Sequence, residues 1–234
     1  MAEVSNRGLA FGAASAALGV VLAFASSSEA SHRKGYDDAV RCAGKVVRDV
    51  QLQNRSREGA VFTKVKSYPE GTLATAYGCL VRSGPVVRLG DPRLETTHDP
   101  ALAGRFTGWR RELHGTPFTS AEGVAVTDLK TGRRVVEYDA MPNTLEPQGS
   151  HVQSLVVKRN GSIGWLGVLE SGEQGVWKVD NSDTGAQRLG SGPPAIPILS
   201  FRISADRRTL HWLRDERGTE HTVADDTPRS APID

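Results

Sequence analysis

Segments of the chain repeat one plan of paired strands, and this repetition restricts the fold more than any other feature. Residues 155–159 lead into Asn160-Gly161 and return as residues 162–166. Asn-Gly favours a two-residue hairpin, because both central residues of a type I′ turn need positive φ. A second hairpin follows over residues 175–189. Two successive hairpins make a four-stranded antiparallel unit, so the repeated plan predicts a series of small sheets.

The same plan recurs on both sides of this segment. Residues 199–223 repeat it, and residues 102–136 contain the same parts. Trp109, Trp165 and Trp212 occupy one position in the repeat and lie 56 and 47 residues apart. Such periods suit propeller blades of about 40 to 50 residues. We expect these tryptophans to pack between neighbouring sheets, since each sheet must bury large side chains against the next.

The hairpin sequences resemble those of a known family. Residues 204–212 (SADRRTLHW) are similar to the S-P-D-G-K-x-L/I-A-F hairpin of TolB-type β-propeller repeats, with Ala205 in place of the proline and Arg207 in place of the glycine. Residues 175–189 and 124–136 are similar to the D-x-x-T-G hairpin that follows in the same blade. These motifs specify a blade and not an activity.

The resemblance covers residues 100–223, with a fainter copy over residues 60–89. It implies an all-β chain of about four propeller-like units, each a four-stranded antiparallel sheet. Such domains usually contain six or seven blades. A closed ring of four, an open stack, and a partial propeller completed by another chain are therefore all compatible with the sequence, and the last would make the protein an oligomer.

The beginning of the chain predicts export. Residues 8–25 carry no charge, follow Arg7, and precede small residues, which is the arrangement of a secretory signal peptide. Small-x-small sequences predict cleavage near Ala25 or Ala30, giving a secreted protein that does not contact the membrane. The alternative is a helical anchor formed by uncleaved residues 8–25, whose length just reaches that of a membrane span.

Three parts follow from this organisation: a signal peptide over residues 1–30, an N-terminal arm over residues 31–58, and the repeat domain over residues 59–234. Residues 37–50 alone have helical spacing of apolar side chains, which predicts a helix there. The residues with that spacing are Ala39, Val40, Ala43, Val46 and Val47.

The two cysteines, Cys42 and Cys79, predict one structural disulfide, because an exported chain meets an oxidising compartment. A redox or metal-binding pair is the alternative. No C-x-x-C sequence is present, and no histidine lies beside either cysteine.

Charge and motifs exclude several functions. The 29 Lys and Arg residues oppose 27 Asp and Glu residues, so no basic surface for nucleic acid is expected. The sequence lacks a G-x-S-x-G elbow, a phosphate-binding loop, an H-E-x-x-H zinc helix and a G-x-G-x-x-G fingerprint. We therefore predict no cofactor and no metal.

A few side chains remain as candidates for a surface site. His98 and His114 fall in predicted loops of one unit, where Asp99 or Glu112 could orient an imidazole for acid–base chemistry. The alternative is a pair of solvated loop histidines. Trp177 departs from the register of the other tryptophans, and it could be exposed for carbohydrate stacking or packed in the core.

Two functions are compatible with these features. The leading prediction is a secreted, non-enzymatic module whose loops bind a protein or a glycan. The alternative is an extracellular hydrolase or lyase that acts on a polymer such as a polysaccharide. Convergence of carboxylates or histidines in one cleft would favour the enzyme.

Overall fold

Antiparallel β-strands make up the described part of the chain in the computed structural model, which describes residues 38–69, 71–114, 121–142, 149–181, 183–192, 200–215 and 226–234. Within these ranges there are sixteen strands and no α-helix. The predicted signal peptide and its cleavage sites lie outside the described residues. The strands form four sheets that follow one another in chain order, as the repeats predict.

The first sheet contains β1 (Asp38–Cys42), β2 (Lys45–Arg55), β3 (Gly59–Tyr68), β4 (Gly71–Leu80) and β5 (Val86–Leu89). The second contains β6 (Glu95–Ala103), β7 (Phe106–Leu113), β8 (Ala121–Asp128) and β9 (Arg133–Asp139). The third contains β10 (His151–Val157), β11 (Ile163–Val168), β12 (Gln174–Val179) and β13 (Gln187–Gly192). The fourth contains β14 (Arg202–Ile203), β15 (Thr209–Asp215) and β16 (Asp226–Pro232).

Apolar clusters hold consecutive sheets together in a propeller-like arrangement. Trp109 lies in the cluster between the first and second sheets, Trp165 in that between the second and third, and Trp212 in that between the third and fourth. All three side chains are buried. Each tryptophan is on the second strand of its sheet and packs against the preceding sheet, so the predicted packing role is confirmed.

The predicted helix over residues 37–50 is wrong, because residues 38–50 form β1, a tight turn and the start of β2. Ala43 and Gly44 have φ values of 49° and 78°. Cys42 then pairs with Lys45. Two positive φ angles in a two-residue loop are the geometry of a type I′ hairpin. This turn lies between Val40 and Val46, so the apolar residues that have helical spacing in the sequence belong to two different strands.

The β1–β2 hairpin folds over the outer face of the first sheet. Flat strands spaced about 4.8 Å apart would separate β1 from β4 by about 14 Å, yet the Cα atoms of Cys42 and Cys79 are 5.5 Å apart and the two residues form a disulfide. The bend lies in β2, where Asp49 has a φ of 57°. The hairpin buries Phe62, which pairs with Tyr77 as Trp165 pairs with Trp177. The hairpin therefore covers the face of the first sheet that corresponds to the face covered by the preceding sheet in the second, third and fourth sheets.

The turn at Asn160-Gly161 differs from the predicted two-residue loop. Lys158 donates its N–H to the carbonyl of Ser162 at 2.8 Å, so three residues form the loop. Gly161 has a φ of 98°, and Asn160 is not among the described residues with positive φ. A three-residue loop of this kind uses a type I turn followed by a left-handed residue, which explains why glycine is needed only at its end.

The corresponding turn of the fourth sheet has an arginine where the third has a glycine. Arg207 has a φ of 59°, and its N–H donates to the carbonyl of Ser204 at 2.9 Å. A side chain in this conformation costs about 1 kcal/mol or more relative to glycine. We expect Arg207→Gly to raise the free energy of unfolding by about 1 kcal/mol in chemical denaturation. Arg208→Gly, at an exposed neighbour outside the left-handed region, should not stabilise, and equal effects would contradict this explanation.

Candidate functional site

A cluster of ionisable side chains lies at the free edge of the second sheet. The edge strand β6 pairs with β7 and is interrupted by a bulge between His98 and Ala101. Asp99, within this bulge, has a φ of 46°. A left-handed non-glycine residue is uncommon and strained, so the strand is deformed beside the candidate histidine.

The pleat of β6 and β7 brings His98 beside Glu112. Thr96 pairs with Glu112 and His98 with Arg110, so the two candidates are diagonal neighbours on one face. The His98 Nε2 and Glu112 Oε2 atoms are 3.2 Å apart. The His98 side chain is 33% exposed and that of Glu112 is 40% exposed. The pair is therefore hydrogen-bonded and still accessible to a ligand.

A second histidine contacts a hydroxyl group in the same cluster. His114 Nε2 and Thr96 Oγ1 are 2.6 Å apart. Either group can donate this hydrogen bond while the other accepts it. The four side chains of Thr96, His98, Glu112 and His114 thus form two hydrogen-bonded pairs on adjacent strands.

Asp99 makes a different contact from the one considered in the sequence. Its carboxylate lies 3.3 Å from Arg110 and is 76% exposed. Arg110 also donates to the carbonyl of Val152 at 3.3 Å, and Glu122 accepts the N–H of Val152 at 2.8 Å. Asp99 is therefore part of a charged contact that fixes the second sheet to β10, while Glu112 alone orients His98.

A cleft of about 300 Å³ opens beside this cluster, between the first sheet and β6. Thr96, His98 and Asp99 line one wall. The opposite wall comes from a face of the first sheet that presents Gln51 and Gln53. The His98–Glu112 pair thus lies at the boundary of a concave space, which is the usual setting of a ligand site.

A buried carboxylate also lines the cleft. Glu95 Oε1 accepts a hydrogen bond from Arg134 Nη2 at 2.5 Å, while Glu95 Oε2 is buried and has no hydrogen-bond donor among the described groups. Burial disfavours the charged form of Arg134, but hydrogen bonds to Glu95 and Glu137 outweigh it and raise the pKa of Arg134. Arg134 therefore remains charged beside Glu95.

The structure brings together most of the residues that the sequence singled out. His98 lies on β6 and His114 directly follows β7, so His98 is in a strand and not in a predicted loop. Trp177 is 3% exposed and stacks with Trp165 at 6.4 Å, which leaves it no exposed surface for a sugar. Sequence reasoning missed Thr96 and Glu95. The alternation of β6 could have indicated Thr96, which is two residues from His98.

The described residues contain neither a metal-binding cluster nor a membrane-spanning helix. No group of three or more His, Cys, Asp or Glu side chains there could hold a metal ion. No helix in the same part of the chain is long and apolar enough to cross a membrane.

Comparison with known proteins gives weak likenesses in structure only. No protein-family model matches the chain, and no curated protein matches it. A puromycin-hydrolysing peptidase of Mycobacterium tuberculosis shares 16% identity at a TM-score of 0.44, over 71% of this chain and 27% of the peptidase. A prolyl endopeptidase structure shares 13% identity at a TM-score of 0.33, over 71% of this chain and 33% of its own. The chain thus spans about a third or less of either structure.

These neighbours require a correction to the leading functional prediction. Both are peptidases, so the prediction of a non-enzymatic binding module is wrong as the leading interpretation, and its hydrolase alternative is the one that we carry forward. TM-scores below 0.5 assign no activity to this chain. A hydrolase activity therefore has to be inferred from the chain's own residues.

Proposed function

We propose that this chain is an extracellular hydrolase of a polymer, and that His98 and Glu112 form its acid–base pair. The observation that carries the proposal is the 3.2 Å contact between His98 Nε2 and Glu112 Oε2 at the wall of the cleft. A histidine held by a carboxylate beside a concave space is a common arrangement for general-base catalysis.

The contact determines which nitrogen can act as the base. An ionised carboxylate only accepts hydrogen bonds, so the proton between the two groups belongs to Nε2 of His98. The Nδ1 atom then carries a lone pair and can take a proton from water. The resulting hydroxide adds to the electrophilic carbon of the substrate. Glu112 stabilises the imidazolium that forms, and His98 returns its proton to the leaving oxygen.

Thr96 and His114 supply a donor for the charge that develops on the substrate. If His114 Nε2–H donates to Thr96 Oγ1, the hydroxyl proton of Thr96 is available to the substrate oxygen. A donor fixed before the reaction stabilises an oxyanion without reorganisation. Thr96 and His98 are two residues apart on β6, so their side chains lie on the same face of the strand, and both residues line the cleft.

The residues fit hydrolysis of an acyl ester better than cleavage of a glycosidic bond. Glycosidases generally need two carboxyl groups across the scissile bond. Here Asp99 is paired with Arg110 and Glu112 with His98. A histidine base with a hydroxyl donor instead suits attack of water on an ester carbonyl. The favoured substrate is therefore an ester group carried by a polymer.

The test measures ester hydrolysis by the exported full-length protein on p-nitrophenyl acetate and O-acetylated xylan. We expect His98→Ala to lower kcat/KM by about 100-fold, because general-base catalysis contributes about 10² to 10⁴. Glu112→Gln should lower it less, since the base remains. His211→Ala is the control, because His211 lies on β15 in the fourth sheet. Absence of hydrolysis by the wild-type protein, or equal loss in the control, would exclude the proposal.

We also propose that the protein is secreted, with residues 1–30 as a cleaved signal peptide, residues 31–58 as an arm whose strands β1 and β2 join the first sheet, and residues 59–234 as the repeat domain. The Cys42–Cys79 disulfide supports an oxidising compartment. Intact-mass measurement of exported protein should give a chain that begins near Ser26 or Ser31. A mass that includes residues 1–25 would instead support the membrane anchor.

We further propose kinship with the TolB-type repeats. The support is the turn at residues 204–207, where Arg207 adopts the left-handed conformation at the position of the family's glycine. An experimental structure in which this turn has another conformation would contradict the kinship.

A further inference from the structure

We infer that the cleft between the first sheet and β6 binds an uncharged carbohydrate chain, an inference that rests on the proposed hydrolase and names the polymer it acts on. The carboxylates of the cleft are paired with arginines, its polar groups both donate and accept hydrogen bonds, and one side carries an apolar strip. Together these features fit a neutral sugar.

The charges of the cleft disfavour an ionic ligand. No Lys or Arg is among the described lining residues, so no permanently charged cation there attracts a phosphate, sulfate or uronate group. The two lining carboxylates are each paired, Glu95 with Arg134 at 2.5 Å and Asp99 with Arg110 at 3.3 Å. Because these arginines already neutralise the carboxylates, a cationic ligand gains little electrostatic attraction from the cleft.

The polar lining is built from groups that both donate and accept hydrogen bonds. Gln51 and Gln53 project from β2 two residues apart, and Thr63 pairs with Gln51 on β3. The two glutamines are exposed and make no side-chain hydrogen bond to a described residue. Sugar hydroxyls both donate and accept, so they match amide and hydroxyl groups in either direction.

The buried oxygen of Glu95 gives an independent indication of a missing donor. Glu95 is 6% exposed, and its Oε2 atom lies 3.9 Å from Arg111 Nη1 but accepts no hydrogen bond from a described group. A buried acceptor that receives no hydrogen bond is destabilising, and Glu95 lines the cleft. A hydroxyl group of a bound sugar would supply the donor.

Small apolar side chains make a strip along the first sheet. One cross-strand row runs from Gln51 through Thr63 and Ala76 to Leu89, so the surface changes from polar to apolar across the sheet. Ala74 adds a second small side chain. The C–H face of a sugar ring can rest on such a strip while its hydroxyls reach the amides. A volume of about 300 Å³ accommodates a short section of a chain.

The test titrates the full-length protein with xylohexaose, which is neutral and carries no ester, so binding is read without turnover. Isothermal calorimetry gives the Kd, and the side-chain amide signals of Gln51 and Gln53 in ¹H–¹⁵N NMR locate the ligand. We expect these signals to shift, and Gln51→Ala/Gln53→Ala to weaken binding about tenfold through the lost hydrogen bonds. Gln187→Ala is the matched control, since Gln187 is an exposed glutamine of β13 in the third sheet.

Three results would overturn the inference: no binding of xylohexaose at millimolar concentration, an unchanged Kd in the double variant, or tighter binding of hexagalacturonate or chitosan hexamer. Glu112→Gln separates this inference from the proposed hydrolase, because Glu112 is not a lining residue of the cleft and its replacement should lower ester hydrolysis while leaving the Kd for xylohexaose unchanged. Binding without hydrolysis in the wild-type protein would support the carbohydrate cleft and exclude the hydrolase.

Discussion

Replacing Cys42 and Cys79 with alanine is expected to lower the free energy of unfolding by about 4 kcal/mol. The disulfide closes a loop with a sequence separation of 37 residues. The chain-entropy model assigns a loop of that length about 4 kcal/mol, because the cross-link restricts the unfolded chain. Without it, the β1–β2 hairpin is held over the first sheet by the pairing of β2 with β3, by apolar contacts and by two hydrogen bonds at its turn, from Ala43 N–H to the carbonyl of Leu80 and from Gly44 N–H to the carbonyl of Val81.

The loss should be local before it is global. Phe62 and Tyr77 are covered by the hairpin, so its detachment exposes an apolar face of the first sheet. Hydrogen exchange should therefore accelerate in β1, β2 and β3 while the third sheet keeps its protection. Oxidised and reduced wild-type protein provide the control, since reduction should reproduce the variant in urea denaturation. A change below about 1 kcal/mol, or two free thiols in exported protein, would contradict this role of the disulfide.

The repeats could be predicted from sequence because each sheet carries its own local information. Turn residues and the alternation of β10 to β13 lie within one continuous segment, and Trp109, Trp165 and Trp212 mark a fixed position in each copy. The β1–β2 hairpin was missed for the opposite reason. Its Ala43-Gly44 turn lacks the Asn or Asp that usually marks a type I′ turn, and its fold-back depends on contacts with β4 and not on its own residues.

The site could be predicted only in part. His98, Asp99, Glu112 and His114 stand out because histidines and carboxylates are close in sequence, but the partner of each depends on the register of β6 and β7. The bulge at Asp99 redirects that carboxylate toward Arg110. The cleft itself could not be anticipated, because its glutamines come from β2 while its buried carboxylate starts β6. A wall shared between two sheets has no signature within either segment.

The tryptophans that pack between sheets are expected to differ in their response to mutation. Trp165 is fully buried, donates its indole N–H to the carbonyl of Ala140 at 2.9 Å, and stacks between Tyr138 and Trp177. Trp165→Ala should lower the free energy of unfolding by about 3 to 5 kcal/mol, the range for large aromatic residues in a core. The loss combines the cavity, the two ring contacts and a carbonyl left without its donor.

The replacement by phenylalanine separates the hydrogen bond from the packing. Trp165→Phe leaves the Ala140 carbonyl without its indole donor, which should cost about 1 to 3 kcal/mol beyond the change in volume. Trp109 is equally buried, but no described group accepts its indole N–H. Trp109→Phe removes an unsatisfied donor instead, so it should destabilise less than Trp165→Phe in urea denaturation followed by circular dichroism. Equal losses in the two variants would show that the change in ring volume alone, and not the indole hydrogen bond to Ala140, accounts for the effect of replacing Trp165.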